Sequence, residues 1–330
     1  MSLLLAPLTP LYSIGVTLDR LLRPSKRLSK PVVSIGNIST GGTGKTPLLI
    51  HLAGELVKRS KSVAVLSRNY QSHISYQGMN DEALLLKDKI PQVILGLDSN
   101  RKKKAQEILD RFTVDFFLLD DGFQHWSLKR DVDIVCIDST NPFGNGHLLP
   151  WGILRESVSS LKRASSIVMT RTELSSLKKV EEIKNCIQEK SRAPIFVSSF
   201  IPKARRMSDG KEIDLSEFIT KKGLAVSAIG NPVSFEQTLH LFQIQIHPLR
   251  FRDHHAYMEK DLNRIVDLSF SENRTVFVTE KDWVKLKQLK WEKILAHSDL
   301  IVVRQEISFG NDTSAWENYI DRQILSHEKN

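Results

Sequence analysis

The strongest chemical signal in the chain is an eight-residue run, Ser39-Thr40-Gly41-Gly42-Thr43-Gly44-Lys45-Thr46. It follows the apolar stretch PVVSIGN and leads into PLLIHLAGELVKRS, the strand–turn–helix setting that a phosphate-binding loop requires. Glycines in such a loop let backbone N–H groups converge on phosphate oxygens, and the following helix N-terminus adds positive potential. Lys45 is placed to reach β- and γ-phosphates and Thr46 to ligate Mg²⁺, so the expected ligands are ATP and its magnesium. One departure is plain: the usual first glycine of the motif is Ser39.

A second run, Asp120-Asp121-Gly122-Phe123-Gln124-His125, ends the apolar stretch TVDFFLLD. An acid beyond the carboxyl end of a strand, beside a phosphate loop, can hold magnesium directly or through water. Neighbouring strand residues face opposite ways, so Asp120 and Asp121 differ in role unless the strand has already ended. Capping of a following helix is the plainer alternative. Asn80-Asp81-Glu82-Ala83 reads on its own as an acidic helix N-terminus. Asp253-His254-His255 places an acid beside two imidazoles, either a metal pair or an acid–base group oriented by a carboxylate. Thr279-Glu280-Lys281-Asp282 closes another apolar run, as a phosphate contact or merely a solvated strand end.

The elements that must position these residues alternate. Apolar runs SVAVLSR, TVDFFLLD, VDIVCID, SSIVMTR and PIFVSSF are separated by helical stretches such as NRKKKAQEILDRF and KKVEEIKNCIQEK. That pattern specifies an α/β fold with a parallel sheet covered on both faces. Around Asp209-Gly210, two short polar-alternating runs read as a β-hairpin with a type I′ turn. The α/β alternation then restarts with GLAVSAIGN, a helix from about Ser234, TVFVTEKD and DLIVVRQEI. The expected organisation is an N-terminal region 1–30, a P-loop domain 31–200, a hairpin linker 201–221 and a smaller α/β domain 222–330.

The 330 residues carry 47 Lys and Arg against 38 Asp and Glu, a net charge of +9 that favours an anionic partner. No helix-turn-helix, finger or aromatic–basic stripe points to nucleic acid. Two cysteines, Cys136 and Cys186, with no CxxC and no His/Cys ligand spacing, argue against a disulfide framework or structural zinc. The opening MSLLLAPLTPLYSIGVTL is apolar, broken by Pro7 and Pro10, and followed by Arg20, Arg23, Lys26, Arg27 and Lys30. It is too short to span a bilayer and has the wrong charge order for a signal peptide. It reads either as an interfacial anchor, with Leu3, Leu4, Leu5 and Leu8 in lipid and the cations at headgroups, or as a cap on the protein's own core.

Taken together, SIGNISTGGTGKTP, SRNY, NDEALLL, LLDDGFQHWSLKRDVDIVCID, GNGHLLPWGILRES, FRDHHAY and VTEKDWVKL resemble the tetraacyldisaccharide 4'-kinase family over residues 31–286. That family's phosphate loop also lacks the first glycine. The resemblance implies a P-loop domain and a second α/β domain joined by a two-stranded linker. It implies transfer of the ATP γ-phosphate, with Mg²⁺, to the 4'-hydroxyl of a tetraacyldisaccharide 1-phosphate in lipid A biosynthesis. The implied location is the cytoplasmic side of the bacterial inner membrane, peripheral or monotopic. Asp81 is implied as the catalytic carboxylate, His254 as its partner, and Glu156 of the LRE segment as a further acid at the metal. Asn69, Asn80 and Ser157 stand where the family usually has Gly, Gly and Pro.

On this reading Asp81, aided by His254, accepts the sugar hydroxyl proton while Lys45 and magnesium offset phosphate charge. With Asp81 assigned to the first domain and His254 to the second, domain closure is expected to bring the pair together. The rival in another class is a P-loop switch ATPase of the partitioning or metal-insertion type, which commonly has Lys where this chain has Thr40.

Overall fold

A computed structural model of the chain describes residues 7–68 and 79–329. Leu3, Leu4 and Leu5 of the N-terminal run, and Asn69, Tyr70 and Gln71 after Arg68, lie outside the described residues.

Seven strands form the first sheet: β1 (Val32–Gly36), β2 (Val63–Ser67), β3 (Ile94–Leu97), β4 (Phe116–Asp120), β5 (Val132–Asp138), β6 (Ser166–Thr170) and β7 (Ile195–Val197). Their order is β3-β2-β4-β1-β5-β6-β7, and the pairings throughout are parallel. Every residue of β1, β2, β4, β5 and β6 is buried, as apolar strands covered on both faces must be. The chain leaves β1 between its neighbours β4 and β5, the switch point where open α/β sheets bind ligands.

The helices are α1 (Thr9–Leu22), α2 (Lys45–Lys58), α3 (Asp81–Lys89), α4 (Arg101–Leu109), α5 (Leu177–Gln188), α6 (Pro232–Leu241), α7 (Glu259–Ser271), α8 (Glu280–Leu286), α9 (Glu292–Leu295) and α10 (Thr313–Tyr319). Proline can open α1 because its missing N–H falls where no intrahelical partner exists. One face of α1 lies on the body, where the Tyr12 hydroxyl donates to the Arg155 carbonyl at 3.2 Å. The other face leaves Leu8, Leu11, Ile14, Leu18 and Leu22 exposed. Among the described residues no helix is long and apolar enough to cross a membrane.

The second sheet contains β8 (Ser199–Arg206), β9 (Glu212–Ile213), β10 (Lys222–Ser227), β11 (Gln245–Arg250), β12 (Thr275–Thr279) and β13 (Leu300–Ser308), ordered β11-β10-β12-β13-β8-β9. Strands β10 to β13 pair in parallel; β8 and β9 pair antiparallel. The hairpin therefore belongs to this sheet's edge. Its turn is not the two-residue type I′: Gly210 alone of the Asp-Gly pair has positive φ (71°), and Arg206 N donates to Lys211 O across a four-residue loop.

The chain divides into two compact units: residues 7–68, 90–200 and 307–329, and residues 79–89 with 201–306. Two segments thus fall elsewhere than the expected boundaries. Helix α3, carrying Asp81, joins the second unit, where Lys89 pairs with Glu280 of α8 at 2.6 Å. Residues 307–329 join the first, because Trp316, Tyr319, Ile320 and Ile324 need apolar cover. Phe196 and Phe309 supply it, with Trp316 edge-on to one ring and stacked on the other, while Trp316 Nε1 donates to His51 Nε2 at 3.1 Å.

Candidate active site

In the first unit the loop after β1 turns on Gly41 (φ 101°) and Gly44 (φ 84°), conformations that glycine adopts without strain. Its carbonyls are held from outside. Arg171 Nη1 donates to Gly42 O at 2.7 Å and Thr170 Oγ1 to Thr43 O at 2.9 Å. In a trans peptide the N–H lies opposite the C=O, so the Thr43 and Gly44 amides face the other way, into the loop. Asn37 Nδ2 braces Thr43 Oγ1 at 3.0 Å, and Thr40 N reaches Ile153 O at 2.7 Å. Ser39 pairs with Leu154 in an isolated bridge, so this position serves backbone pairing with the GNGHLLPWGILRE segment. Lys45 and Thr46 open α2 directly behind the loop.

Beside it β4 ends at Asp120, and Asp121 leaves in the left-handed region (φ 48°), which resolves the strand question: the strand ends between the two acids, and they have separate partners. Asp120 Oδ2 accepts from Ser67 Oγ at 2.9 Å. Asp121 lies 3.5 Å from Lys45 Nζ through Oδ1 and 2.8 Å from Arg155 Nη1 through Oδ2. Burial would raise the Asp121 carboxyl, but Lys45, Arg155 and Arg101 outweigh it and hold it at about 2. Gly36 allows the turn to close, since a Cβ there would come within 2.5 Å of Phe123 Cβ.

Glu156 is buried and engaged: Oε1 accepts from Gln124 Nε2 at 2.9 Å, and Oε2 pairs with Arg163 at 2.9 Å. The donors offered by Thr46, Asp120 and Asp121 are oxygens, which suits a hard cation, and Asp121 Oδ1 is buried without a hydrogen bond. Among the described residues no three His, Cys, Asp or Glu side chains form a metal cage. Magnesium held through phosphates and water needs only one or two protein oxygens.

Sequence reading missed the cations around this turn. Burial, then Arg101, Arg130, Arg23 and Arg68, press the His125 imidazole down to about 4. These arginines come from separate segments, and only the fold collects them.

In the second unit Asp81 begins α3 with its side chain 4% exposed, and His254 Nδ1 lies 2.9 and 3.1 Å from its two oxygens. The distant NDE and DHH segments thus meet within one unit, so no closure between units is needed to form the pair. His254 sits at φ 58°, and its backbone N–H donates to Ala228 O at 3.3 Å. Burial alone would raise the Asp81 carboxyl. The His254 hydrogen bond and the Lys281 and Lys285 ammoniums outweigh it and hold Asp81 well below the usual range. The same hydrogen bond raises His254 against burial and Lys281. His255 is a different case: its Nε2 meets Asp261 at 2.9 Å and its ring stacks on Phe251, a structural role rather than a metal pair.

A family model described as tetraacyldisaccharide-1-P 4'-kinase matches residues 1–325. The tetraacyldisaccharide 4'-kinase of Halothermothrix orenii is 36% identical, the alignment covering 92% of this chain and 88% of the relative. That of Syntrophobacter fumaroxidans is 31% identical over 96% and 86%. The crystal structure of LpxK from Aquifex aeolicus in complex with ATP superposes with a TM-score of 0.67, at 24% identity and 98% coverage of both chains, a likeness of fold.

Proposed function

The chain belongs to the tetraacyldisaccharide-1-P 4'-kinase family, and on that premise we propose how its residues divide the ATP-dependent phosphorylation of a tetraacyldisaccharide 1-phosphate at its 4'-hydroxyl. The whole-chain match decides against a switch ATPase. The first unit holds the nucleotide, with loop amides and Lys45 on the phosphates. Thr46, Asp120 and Asp121 would hold magnesium, which when bound neutralises charge across the β- and γ-phosphates. Glu156, fixed by Arg163 and Gln124, orients the Gln124 side chain, whose Nε2 also donates to Asn37 O at 2.8 Å. Exposed Arg68 with the more enclosed Arg101 and Arg130 adds positive potential around His125, which favours anionic groups at this end of the sheet.

The observation that carries the chemistry is the His254–Asp81 pair. Its geometry favours roles reversed from the sequence expectation. Asp81 is enclosed, ionised and surrounded by cations, so it is a poor proton acceptor. His254 is 43% exposed on its side chain, and Nδ1 is committed to Asp81, which leaves Nε2 to take a proton. His254 Nε2 accepts the 4'-hydroxyl proton as that oxygen attacks the γ-phosphorus and ADP departs; Asp81 fixes the imidazole tautomer and stabilises its cation.

The acceptor is a lipid, and α1 is suited to meet it at a membrane surface. Its docked face is fastened through Tyr12, while its outer face carries leucines beside exposed Arg23, Lys26 and Arg27. The N-terminal region thus acts as anchor and cap together.

The test is incubation with ATP, Mg²⁺ and a tetraacyldisaccharide 1-phosphate, with mass spectrometry for one added phosphoryl group. Asp81→Ala and His254→Ala should each lower kcat by about 10²–10⁴-fold with ATP affinity nearly unchanged. The double variant should be little worse than the poorer single one, because paired groups are non-additive. Losses that multiply across the cycle would refute the pair.

A further inference from the structure

Asp81 is held by more than His254. Helix α8 presents Lys281 and Lys285, whose Nζ atoms each lie 3.7 Å from Asp81 Oδ2. They differ in surroundings. Lys281 is 17% exposed on its side chain and shared with Glu82 at 3.1 Å; Lys285 is 3% exposed. A buried ammonium costs much free energy unless it is compensated, so its place must serve something in the fold or the chemistry.

Compensation comes from Asp282, whose side chain is fully buried and whose Oδ1 lies 3.0 Å from Lys285 Nζ. Asp282 is itself immobilised. Both oxygens accept from Ala228 N at 3.1 Å, and Oδ2 accepts from Thr279 Oγ1 at 2.7 Å. Ala228 then connects to the other half of the pair, since its carbonyl accepts the His254 backbone N–H. One buried carboxylate therefore anchors both the ammonium beside Asp81 and the backbone that carries His254.

Resting on the reading of Asp81 and His254 as the proton-accepting pair, we infer that Lys285, locked by Asp282, is a positioning residue that fixes Asp81 opposite the imidazole. Lys285 draws Oδ2 toward α8, so the carboxylate presents a fixed edge to His254 Nδ1. It also limits how strongly Asp81 favours the imidazolium, since its ammonium competes for the same carboxylate. Groups facing the pair are Glu82 on α3, Asp253 beside His254, and Lys281, Lys285 and Asp282 on α8; of these, the ammoniums oppose protonation and the carboxylates favour it. Removing the Lys285 charge therefore raises the proton affinity of the pair whichever member carries the proton.

The experiment uses the full chain with ATP, Mg²⁺ and a tetraacyldisaccharide 1-phosphate in detergent micelles, and reads kcat against pH. Lys285→Met alone strands the buried Asp282 charge and endangers the fold. The double variant Lys285→Met/Asp282→Asn removes both charges together and keeps an acceptor for Ala228 N. It should melt cooperatively and bind ATP within twofold of the parent. Its kcat should fall by about 10- to 100-fold, and the acid limb of its profile should move up, by less than loss of the Lys285 charge alone would cause because the Asp282 carboxylate is removed with it. Lys285→Arg should restore the position of that limb. A folded double variant with parental kcat and limb, alongside an inactive Asp81→Asn, would overturn the inference and leave the pair standing. Full activity in Asp81→Asn and His254→Ala would instead sink the pair and the inference with it. Failure of both charge-removing variants to fold would assign Lys285 to the core and also overturn the positioning role.

Discussion

At the scale of single residues, the phosphate loop and the acids after β4 were legible because each is contiguous and sits at a strand end. The meeting of Asp81 and His254 entered only through family resemblance, since 173 positions separate them and a sequence offers no register for that distance. The segment holding Lys281 reads either as a phosphate contact or as a solvated strand end, and Lys285 carries no signal of its own. Their spacing on α8 is ordinary, and nothing local marks one of them as buried. Lys45→Ala should lower phosphoryl transfer by at least about 10²-fold with thermal unfolding little changed, because the loop glycines and α2 remain. Turnover near the parental rate at saturating ATP would contradict the loop assignment. The variant also leaves Asp121 with Arg155 as its nearest ion-pair partner in place of two, so its carboxyl should titrate higher, a shift measurable by carboxyl NMR.

At the scale of elements, strand and helix order was readable from apolar runs, whereas membership of a unit was not. Helix α3 lies in the sequence between strands of the first sheet, yet its ion pairs are with α8. The hairpin was visible, but its turn length depends on Arg206 and Lys211, which carry no turn signal. Two expectations belong here. Leu11→Glu with Ile14→Glu alters only exposed positions of α1, so folding should persist while cosedimentation with anionic vesicles falls several-fold. Unchanged cosedimentation would remove the outer face as the contact. Gly36→Ala places a methyl against Phe123 and should destabilise by about 1–3 kcal/mol or more, read from the urea midpoint. A neutral result would mean that the turn after β4 yields more easily than its packing suggests.

At the scale of the whole molecule, histidines in opposite environments shape the response to pH. His51 is lowered chiefly by burial and accepts from Trp316; His125 is lowered to about 4. With folded values below the unfolded one, their contribution is present above about pH 6.5 and is lost as pH falls through the folded values. His254 is raised, so its contribution is full below about pH 6.5 and lost as pH rises through its folded value. Urea midpoints should therefore decline on acidification below about 6.5, and His51→Gln, which keeps an acceptor for Trp316 without the proton, should flatten that decline. An unchanged slope would deny His51 a part in it.

The return of residues 307–329 to the first unit has a consequence for how the protein is made. A ribosome releases β1 to β7 early, but Trp316 emerges only after the entire second unit has been synthesised. Until then Phe196 and His51 lack their covering ring, and the nascent first unit waits with an open apolar seam. Such a seam is a natural target for holding chaperones during translation. A ribosome stalled before residue 307 should carry a first unit that proteases cut readily, and one stalled beyond residue 329, with that segment outside the exit tunnel, should not.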